Sequence, residues 1–129
     1  MKLRTHYAFS TALLTVINVL LLHSFYFSLI FAGAVSVIAN SLIDGLGHEV
    51  RAGYIRRTPS THTVPRSVLW GLLSAIPIIA LVYHVYPYYF IEDETALLVD
   101  GLLVGPSHML LDVFTEKGIY VKKNGKWRR

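Results

Sequence analysis

All twelve Lys and Arg residues of this chain lie on one side of four hydrophobic stretches. The stretches cover about residues 7–22, 25–43, 67–83 and 95–114. If each crosses a bilayer once, the N-terminal segment, the connection between the second and third stretches and the C-terminal segment share one face. An excess of Lys and Arg in short loops is typical of the cytoplasmic face. The sequence therefore predicts an all-α integral membrane four-helix bundle with both termini in the cytoplasm.

The composition supports a membrane protein independently of the charge pattern. Hydrophobic residues make up 53% of the chain, charged residues 16%, and the mean hydropathy is +0.49. A soluble helical bundle is the weaker alternative on these values. We expect one transmembrane domain over residues 1–121, a basic cytoplasmic tail over residues 122–129, and a location in the inner or plasma membrane of the cell.

The charge and the cysteine content restrict the partners. The net charge of +4 is explained by attraction to anionic membrane lipids, so no nucleic-acid partner is expected. The chain has no cysteine, which excludes disulfides and thiolate metal sites. Four short helices leave enough lipid-facing surface for a homo-oligomer, although no residue pattern argues for one.

Each of the four helix ends on the predicted cytoplasmic face carries a histidine. Two aspartates accompany them, because Asp44 precedes His48 by four residues and Asp112 follows His108 by four residues. A spacing of four places two side chains on one helical face, where they can reach a common ion. The candidate metal ligands are His6, Asp44, His48, His62, His108 and Asp112.

Imidazole nitrogens and carboxylate oxygens without thiolates suit zinc, manganese or non-haem iron. Six such groups exceed the needs of one tetrahedral site, which leaves two metals, or one metal plus catalytic acid/base groups. We expect Asp112 or Asp44 to act as general base, and Thr61 and Thr115 to orient the ligands. Arg57 is the candidate contact for a substrate phosphate, and lipid-surface anchoring explains it equally well.

Two other functional classes are open to such a chain. A non-catalytic membrane scaffold would use the same residues as a structural polar or metal cluster. An ion-conducting bundle is disfavoured, because the ionisable residues gather at one face and the middle of the membrane is expected to be largely apolar. Asp100 is expected to be solvated or paired with a Ser or Thr near the outer end of the fourth helix.

Local signals add expectations about the helices. Small residues in the middle of the second helix predict a central place in the bundle. Thr5 and Thr95 are expected to be N-caps of the first and fourth helices. The connection from Glu49 to Pro65 is long for a small bundle, which is typical of functional or disordered loops.

Four blocks of the sequence resemble one known family. They are Thr5-His6, the segment from Leu42 to His48, the segment from Thr58 to Thr63, and Ser107 to Thr115 followed by Gly118. The last block is the most specific. In this order the blocks resemble the LexA-binding, inner membrane-associated hydrolases, also called membrane-bound metal-dependent hydrolases, and in particular an archaeal branch of unknown function.

The resemblance implies a membrane-embedded, metal-dependent hydrolase acting on a phosphoester or similar bond at the cytoplasmic lipid surface, with zinc as the first candidate metal. This chain departs from the family pattern at two positions. Gly47 stands where the family usually has an Asp before the His, and Arg56-Arg57 stands where it has His-Arg. Two family ligands are therefore absent.

Overall fold

A computed structural model describes residues 2–129, apart from the side chains of residues 89 and 90. Four long helices dominate these residues, which confirms the all-α four-helix prediction. They are α1 (Leu3–Leu22), α2 (Phe25–Gly47), α3 (Val64–Val85) and α4 (Phe90–Val113), with a short 3-10 turn at Pro87–Tyr89 before α4. Two small antiparallel hairpins complete the fold: β1 (His48–Arg51) pairs with β2 (Tyr54–Arg57), and β3 (Val121–Lys123) pairs with β4 (Lys126–Arg128).

The four helices are each long and apolar enough to cross a membrane. Large apolar side chains on their outer surfaces are exposed, among them Leu20, Ile30, Leu81 and Ile91 at 61–79%. This outer surface suits lipid rather than water, as expected for a multi-pass membrane protein. The beginning of α1 and the end of α4 lie at the same end of the bundle, because His6 of α1 contacts Asp112 of α4.

The interior of the bundle is built around α2 and α4, each of which contacts the other three helices. Ala32, Val35 and Ala39 of α2 are fully buried, in agreement with the central place expected from its small residues. Helices α3 and α4 approach closely at glycines. A Cβ atom at Gly105 would overlap the backbone carbonyl of Ser67. Small residues at this contact let the two backbones meet, as in other membrane bundles.

The helices extend beyond the predicted bounds. Helix α1 begins at Leu3, so Thr5 lies inside its first turn, and α4 begins at Phe90, so the hydroxyl of Thr95 bonds the Ile91 carbonyl. Both N-cap predictions were wrong, because a Ser or Thr inside a helix can bond a preceding carbonyl as well as cap an end. The longer α1 places His6 inside the bundle rather than at an exposed end.

The two hairpins were not predicted. Each turns at a pair of residues with positive φ, Ala52-Gly53 (52° and 79°) and Asn124-Gly125 (50° and 74°). Two consecutive positive values are the geometry of the type I′ turn, which joins paired strands with the correct twist. The first hairpin occupies much of the connection between α2 and α3, so this connection is structured and leads into Thr63, the N-cap of α3.

Candidate metal centre

The six predicted ligands come together at one end of the bundle, where two carboxylates lie among the imidazole rings. Oδ1 of Asp44 lies 3.5 Å from Nε2 of His48, 3.5 Å from Nε2 of His62 and 3.3 Å from Nε2 of His108. The other carboxylate approaches three rings as well. Oδ1 of Asp112 is 3.3 Å from Nε2 of His6, and its Oδ2 is 3.7 Å from Nε2 of His62 and 3.3 Å from Nε2 of His108.

The imidazole rings pack against one another. His6 and His108 are stacked with their centroids 3.7 Å apart, and the edge of His62 meets His108 at 5.7 Å. His48 stacks on His62 at 5.1 Å. Helix α1, helix α4, the start of strand β1 and the segment before α3 therefore each contribute one ring to a continuous cluster.

The cluster is closed on most sides and open on one. The side chains of His6, His62, His108 and Asp112 are fully buried, whereas Asp44 is 13% and His48 31% exposed. The open side follows from the position of these two residues, since Asp44 lies on the last turn of α2 and His48 begins strand β1. A ligand from solvent therefore meets Asp44 and His48 first.

The ring of His62 has a defined protonation pattern. The Thr61 hydroxyl donates to the backbone carbonyl of Ile43 at 2.7 Å, so its oxygen is free to accept. Nδ1 of His62 lies 2.9 Å from that oxygen and donates its proton to it. In the neutral ring Nε2 then carries a lone pair and faces Asp44 and Asp112.

His108 is oriented in the same way by a different partner. The amide nitrogen of Asn40 donates to the Ser36 carbonyl oxygen at 2.8 Å, which fixes the amide orientation because a carbonyl only accepts. Oδ1 of Asn40 is therefore the atom 2.7 Å from Nδ1 of His108, and it accepts the Nδ1 proton. In the neutral ring, Nε2 of His108 again presents a lone pair to the two carboxylates.

The fit of these groups to a divalent metal rests on buried atoms that no protein donor satisfies. Nε2 of His6, His62 and His108 and Oδ2 of Asp112 are buried without a hydrogen-bond partner. Lone pairs that face carboxylate oxygens repel them unless a positive charge lies between, and a divalent ion supplies that charge. Three overlapping groups of ligand atoms each lie within 4.8 Å of one another: His6, Asp44 and His108; Asp44, His48 and His62; His62, His108 and Asp112.

Two histidines of the centre lie outside the membrane-spanning helices. Burial lowers the pKa of His62 below its ordinary 6.5, and the nearby Asp44 carboxylate offsets part of this effect. Burial also lowers the pKa of His48, with Asp44 again acting in the opposite direction. Both rings therefore stay neutral down to a lower pH than a free histidine does. The neutral ring is the form that binds metal.

Residues 1–111 of the chain match a family described as "Protein of unknown function (DUF1286)". The chain belongs to the DUF1286 family. No curated protein and no solved structure matches it. Five of the six candidate ligands lie within the matched residues, and Asp112 follows them directly. The resemblance to membrane-bound metal-dependent hydrolases stays a prediction.

Arg57 of this DUF1286 protein lies against the centre. Its Nη2 donates to Oδ1 of Asp112 at 2.6 Å, and its Nη1 donates to the Thr115 hydroxyl and the Gly118 carbonyl, both at 3.0 Å. The side chain is 5% exposed. Arg57 holds Asp112 in place, and its predicted contact with a substrate phosphate is untested. Thr115 bonds Arg57 and the backbone of Asp112, and Thr61 bonds a ligand ring directly.

The departure from the hydrolase pattern at Gly47 has a structural reason in this DUF1286 chain. A Cβ atom at Gly47 would overlap the Thr61 hydroxyl and the ring of His62. The aspartate that the resembled family has at this position does not fit without a shift of both residues. The close approach at Gly47 brings His62 to the end of α2.

Some residues that support the centre were not identified from the sequence. Asn40 lies on the buried face of α2 and orients His108. Tyr120 fixes the connection, because its backbone N–H donates to the His62 carbonyl at 2.9 Å and its hydroxyl donates to the Arg57 carbonyl at 2.7 Å. Asn40 carried a signal, since an amide in an apolar helix must find a partner in the protein interior. No pattern in the sequence indicated the role of Tyr120.

The expectation for Asp100 was wrong in its details. The residue is fully buried, and its partner is the amide of Asn18 rather than solvent or a hydroxyl. Polar groups also continue inward from the centre, since Ser10 bonds Ser107 at 2.7 Å next to Asn40. The interior of this bundle is therefore more polar than the sequence suggested, because polar residues spaced along different helices meet only after packing.

Proposed function

We propose that this DUF1286 protein is a metal-dependent hydrolase of the cell membrane, acting on a phosphoester or similar bond at the cytoplasmic lipid surface. The observation that carries the proposal is the orientation of His62 and His108. Each ring gives its Nδ1 proton to a neighbour, Thr61 or Asn40, and turns a lone pair toward two carboxylates. Rings held in one tautomer by a second bond are typical of metal ligands.

The donor set supports zinc first, with manganese or iron as alternatives, because it combines imidazole and carboxylate without thiolate. His6, Asp44, His48, His62, His108 and Asp112 would hold one or two ions. A bound divalent ion supplies Lewis acidity toward a phosphoryl oxygen and makes water a better nucleophile at neutral pH.

The two carboxylates differ in what they can do for a reaction. Asp112 is fully buried and ion-paired to Arg57, which holds its charge and position. Asp44 is partly exposed at the open side of the cluster, and its partners are three imidazoles. Asp44 is therefore the better placed general base toward an incoming water, and Asp112 is a ligand with a positioning role.

The surroundings of the open side favour an anionic substrate at the membrane surface. Arg51, Arg56 and Lys117 are exposed around the β1–β2 hairpin, and the Lys117 ammonium donates to the Ile55 carbonyl at 3.1 Å. Positive side chains at the headgroup level attract anionic lipids and phosphate groups. The distribution of Lys and Arg also supports a cytoplasmic location for this end of the bundle.

Metal analysis of the purified protein tests the proposal. The protein would be prepared in detergent without chelator, and bound metals measured by elemental mass spectrometry beside a His108→Ala/Asp112→Ala double variant. His84→Ala is the matched control, because His84 lies at the opposite end of α3 from the centre. We expect zinc, manganese or iron in amounts comparable to the protein in the wild type and the control, and a loss of metal in the double variant.

Turnover is then measured with the metal-loaded protein on soluble phosphoesters and on phospholipid vesicles. Hydrolysis that the double variant lacks supports the hydrolase. A folded, monodisperse wild type without metal would overturn the proposal. Retained metal with no turnover on any substrate would assign the cluster to a non-catalytic scaffold, the second class considered above.

A further inference from the structure

A second buried polar pair lies deeper in the bundle, apart from the metal centre. Asp100 of α4 and Asn18 of α1 are both fully buried, and Nδ2 of Asn18 lies 2.7 Å from Oδ2 of Asp100. On α4, Asp100 precedes His108 by eight residues, which corresponds to about 12 Å along a helix. Leu14 and Val104 are fully buried one turn from the pair, on the side toward the metal centre.

The pair contains two oxygen atoms without a donor. Oδ1 of Asp100 and Oδ1 of Asn18 are buried and have no hydrogen-bond partner. Exchanging the amide oxygen and nitrogen of Asn18 would not give the free oxygens a donor. The nitrogen also lies 3.5 Å from the Ser28 carbonyl oxygen, which only accepts, so the present orientation is favoured. Within residues 2–129, no Lys, Arg or His side chain forms an ion pair with Asp100.

A buried carboxylate with a single neutral partner is costly, and a positive charge at its second oxygen removes that cost. We propose that Asp100 and Asn18 form a cation-binding site, whose occupant is sodium or a proton on Asp100. Either occupant removes the negative charge of the carboxylate: sodium lies against its free oxygen, and a proton bound to that oxygen makes a neutral carboxylic acid. One carboxylate and neutral oxygens suit a single charge, whereas a divalent ion favours more carboxylates.

A cavity on the outer side of the pair supports a cation as the ligand. The cavity has a volume of about 310 Å³ and is lined by Leu22, Ser24, Phe27, Tyr86, Glu92 and Asp93. Leu22 lies one turn beyond Asn18 on α1, and Asp93 lies two turns before Asp100 on α4. Two acidic residues at this cavity raise the concentration of cations at the outer end of the bundle. Along α4 the pair lies between this cavity and the metal centre.

Heat unfolding of the purified full chain tests the site. Wild type and Asp100→Asn would be compared in sodium chloride and in choline chloride at equal ionic strength, across mildly acidic to mildly alkaline pH, with a chelator present throughout. The chelator removes the metal centre from the comparison, and the titration of its histidines contributes equally to both proteins. A negative result for the Asp100–Asn18 site would therefore say nothing against the proposed hydrolase function.

A sodium site raises the Tm of the wild type in sodium by about 2–8 °C relative to choline, and Asp100→Asn abolishes that difference. A proton site gives no sodium effect. Instead the wild type loses Tm toward alkaline pH and Asp100→Asn does not, because the new amide supplies the missing donor permanently. Equal responses of the two proteins to both sodium and pH would overturn the proposal.

A second variant covers the case in which Asp100→Asn fails to fold. Asp100→Leu/Asn18→Leu replaces the whole pair by apolar side chains, which membrane bundles and buried pairs often tolerate. It is expected to fold and to lose the sodium or pH response of the wild type. A response retained in this variant would place the cation elsewhere and overturn the proposal.

Discussion

The hydroxyl of Thr61 lies 2.9 Å from Nδ1 of His62 and accepts its proton, because the hydroxyl hydrogen is already given to the Ile43 carbonyl. One residue thus selects the tautomer of its neighbour. The same selection is made for His108 by Asn40 on another helix. Two independent partners thus leave Nε2 of both rings free, as the proposed metal centre requires.

Replacing Thr61 by Val removes this acceptor while keeping the shape of the side chain. We expect the affinity for zinc to fall about 10- to 100-fold, the usual cost of losing a group that orients a metal ligand. Competition with a chromogenic chelator measures the change. Thr95→Val, in the outer part of α4, is the matched control and should bind zinc as the wild type does. Equal affinities of all three proteins would contradict the role of Thr61.

Two neighbouring glycines of α2 give opposite expectations for the same substitution. A Cβ at Gly47 would overlap Thr61 and His62, whereas a Cβ at Gly45 meets nothing within 4 Å. Gly45→Ala should therefore raise the free energy of unfolding by up to about 1 kcal/mol through helix propensity. Gly47→Ala should lower it and weaken metal binding. Heat unfolding and zinc titration of both variants check this, and a Gly47→Ala protein as stable as Gly45→Ala would be evidence against the close approach.

The two arginines of strand β2 differ in burial, so we expect their replacement to lower the free energy of unfolding by different amounts. Arg57→Ala leaves the buried Asp112 without its guanidinium partner, for which we expect a loss of about 3–5 kcal/mol in the free energy of unfolding. Arg56 is exposed and lies opposite Glu49 in the hairpin, so Arg56→Ala should cost at most about 1 kcal/mol. Unfolding of the metal-free proteins compares the two. Similar losses would show that Arg57 does not hold Asp112.

The lowered pKa values of His48 and His62 predict a pH dependence of stability in the metal-free protein. Well above pH 6.5 these rings are neutral in both the folded and the unfolded chain, and their contribution is constant. Below 6.5 the unfolded chain takes up protons first, so the folded state loses stability as the pH falls. Heat unfolding from neutral to acidic pH should show this loss, and a His48→Gln/His62→Gln variant should show less of it. A variant with the same pH profile as the wild type would refute the assignment.

The same two residues determine how metal binding should respond to pH. Because their neutral forms persist below the ordinary histidine range, zinc should be retained at pH values where unperturbed histidines release it. A zinc titration at decreasing pH measures the midpoint of release. A midpoint above 6.5 would contradict the expectation.

The clustering of the six candidate residues was predictable from topology and helix spacing, and their role as metal ligands stays a prediction. Four apolar stretches and one-sided Lys and Arg determine which helix ends meet, and His6, His48, His62 and His108 stand at those ends. The spacing of four between His108 and Asp112 placed both on one face of α4. These signals depend on helix periodicity and membrane crossing, which are strong in a sequence.

Other features depend on tertiary contacts that are harder to predict from the sequence. The role of Arg57 was not foreseen, because its partner Asp112 lies on a distant helix and a basic loop residue is ordinarily exposed. The pairing of Asn18 with Asp100 requires the relative rotation of α1 and α4, which periodicity does not specify. The hairpin at Asn124-Gly125 did carry a readable signal, since this dipeptide favours the type I′ turn.

The contact between His6 and Asp112 joins the first turn of the first helix to the last turn of the fourth. During synthesis the ring of His6 therefore enters the membrane long before its partner has been made. The full set of six side chains therefore cannot assemble until the final helix is inserted, whereas Asp44, His48 and His62 are made before that helix. Completion of the set would then require that the first and the last helix have both reached their places.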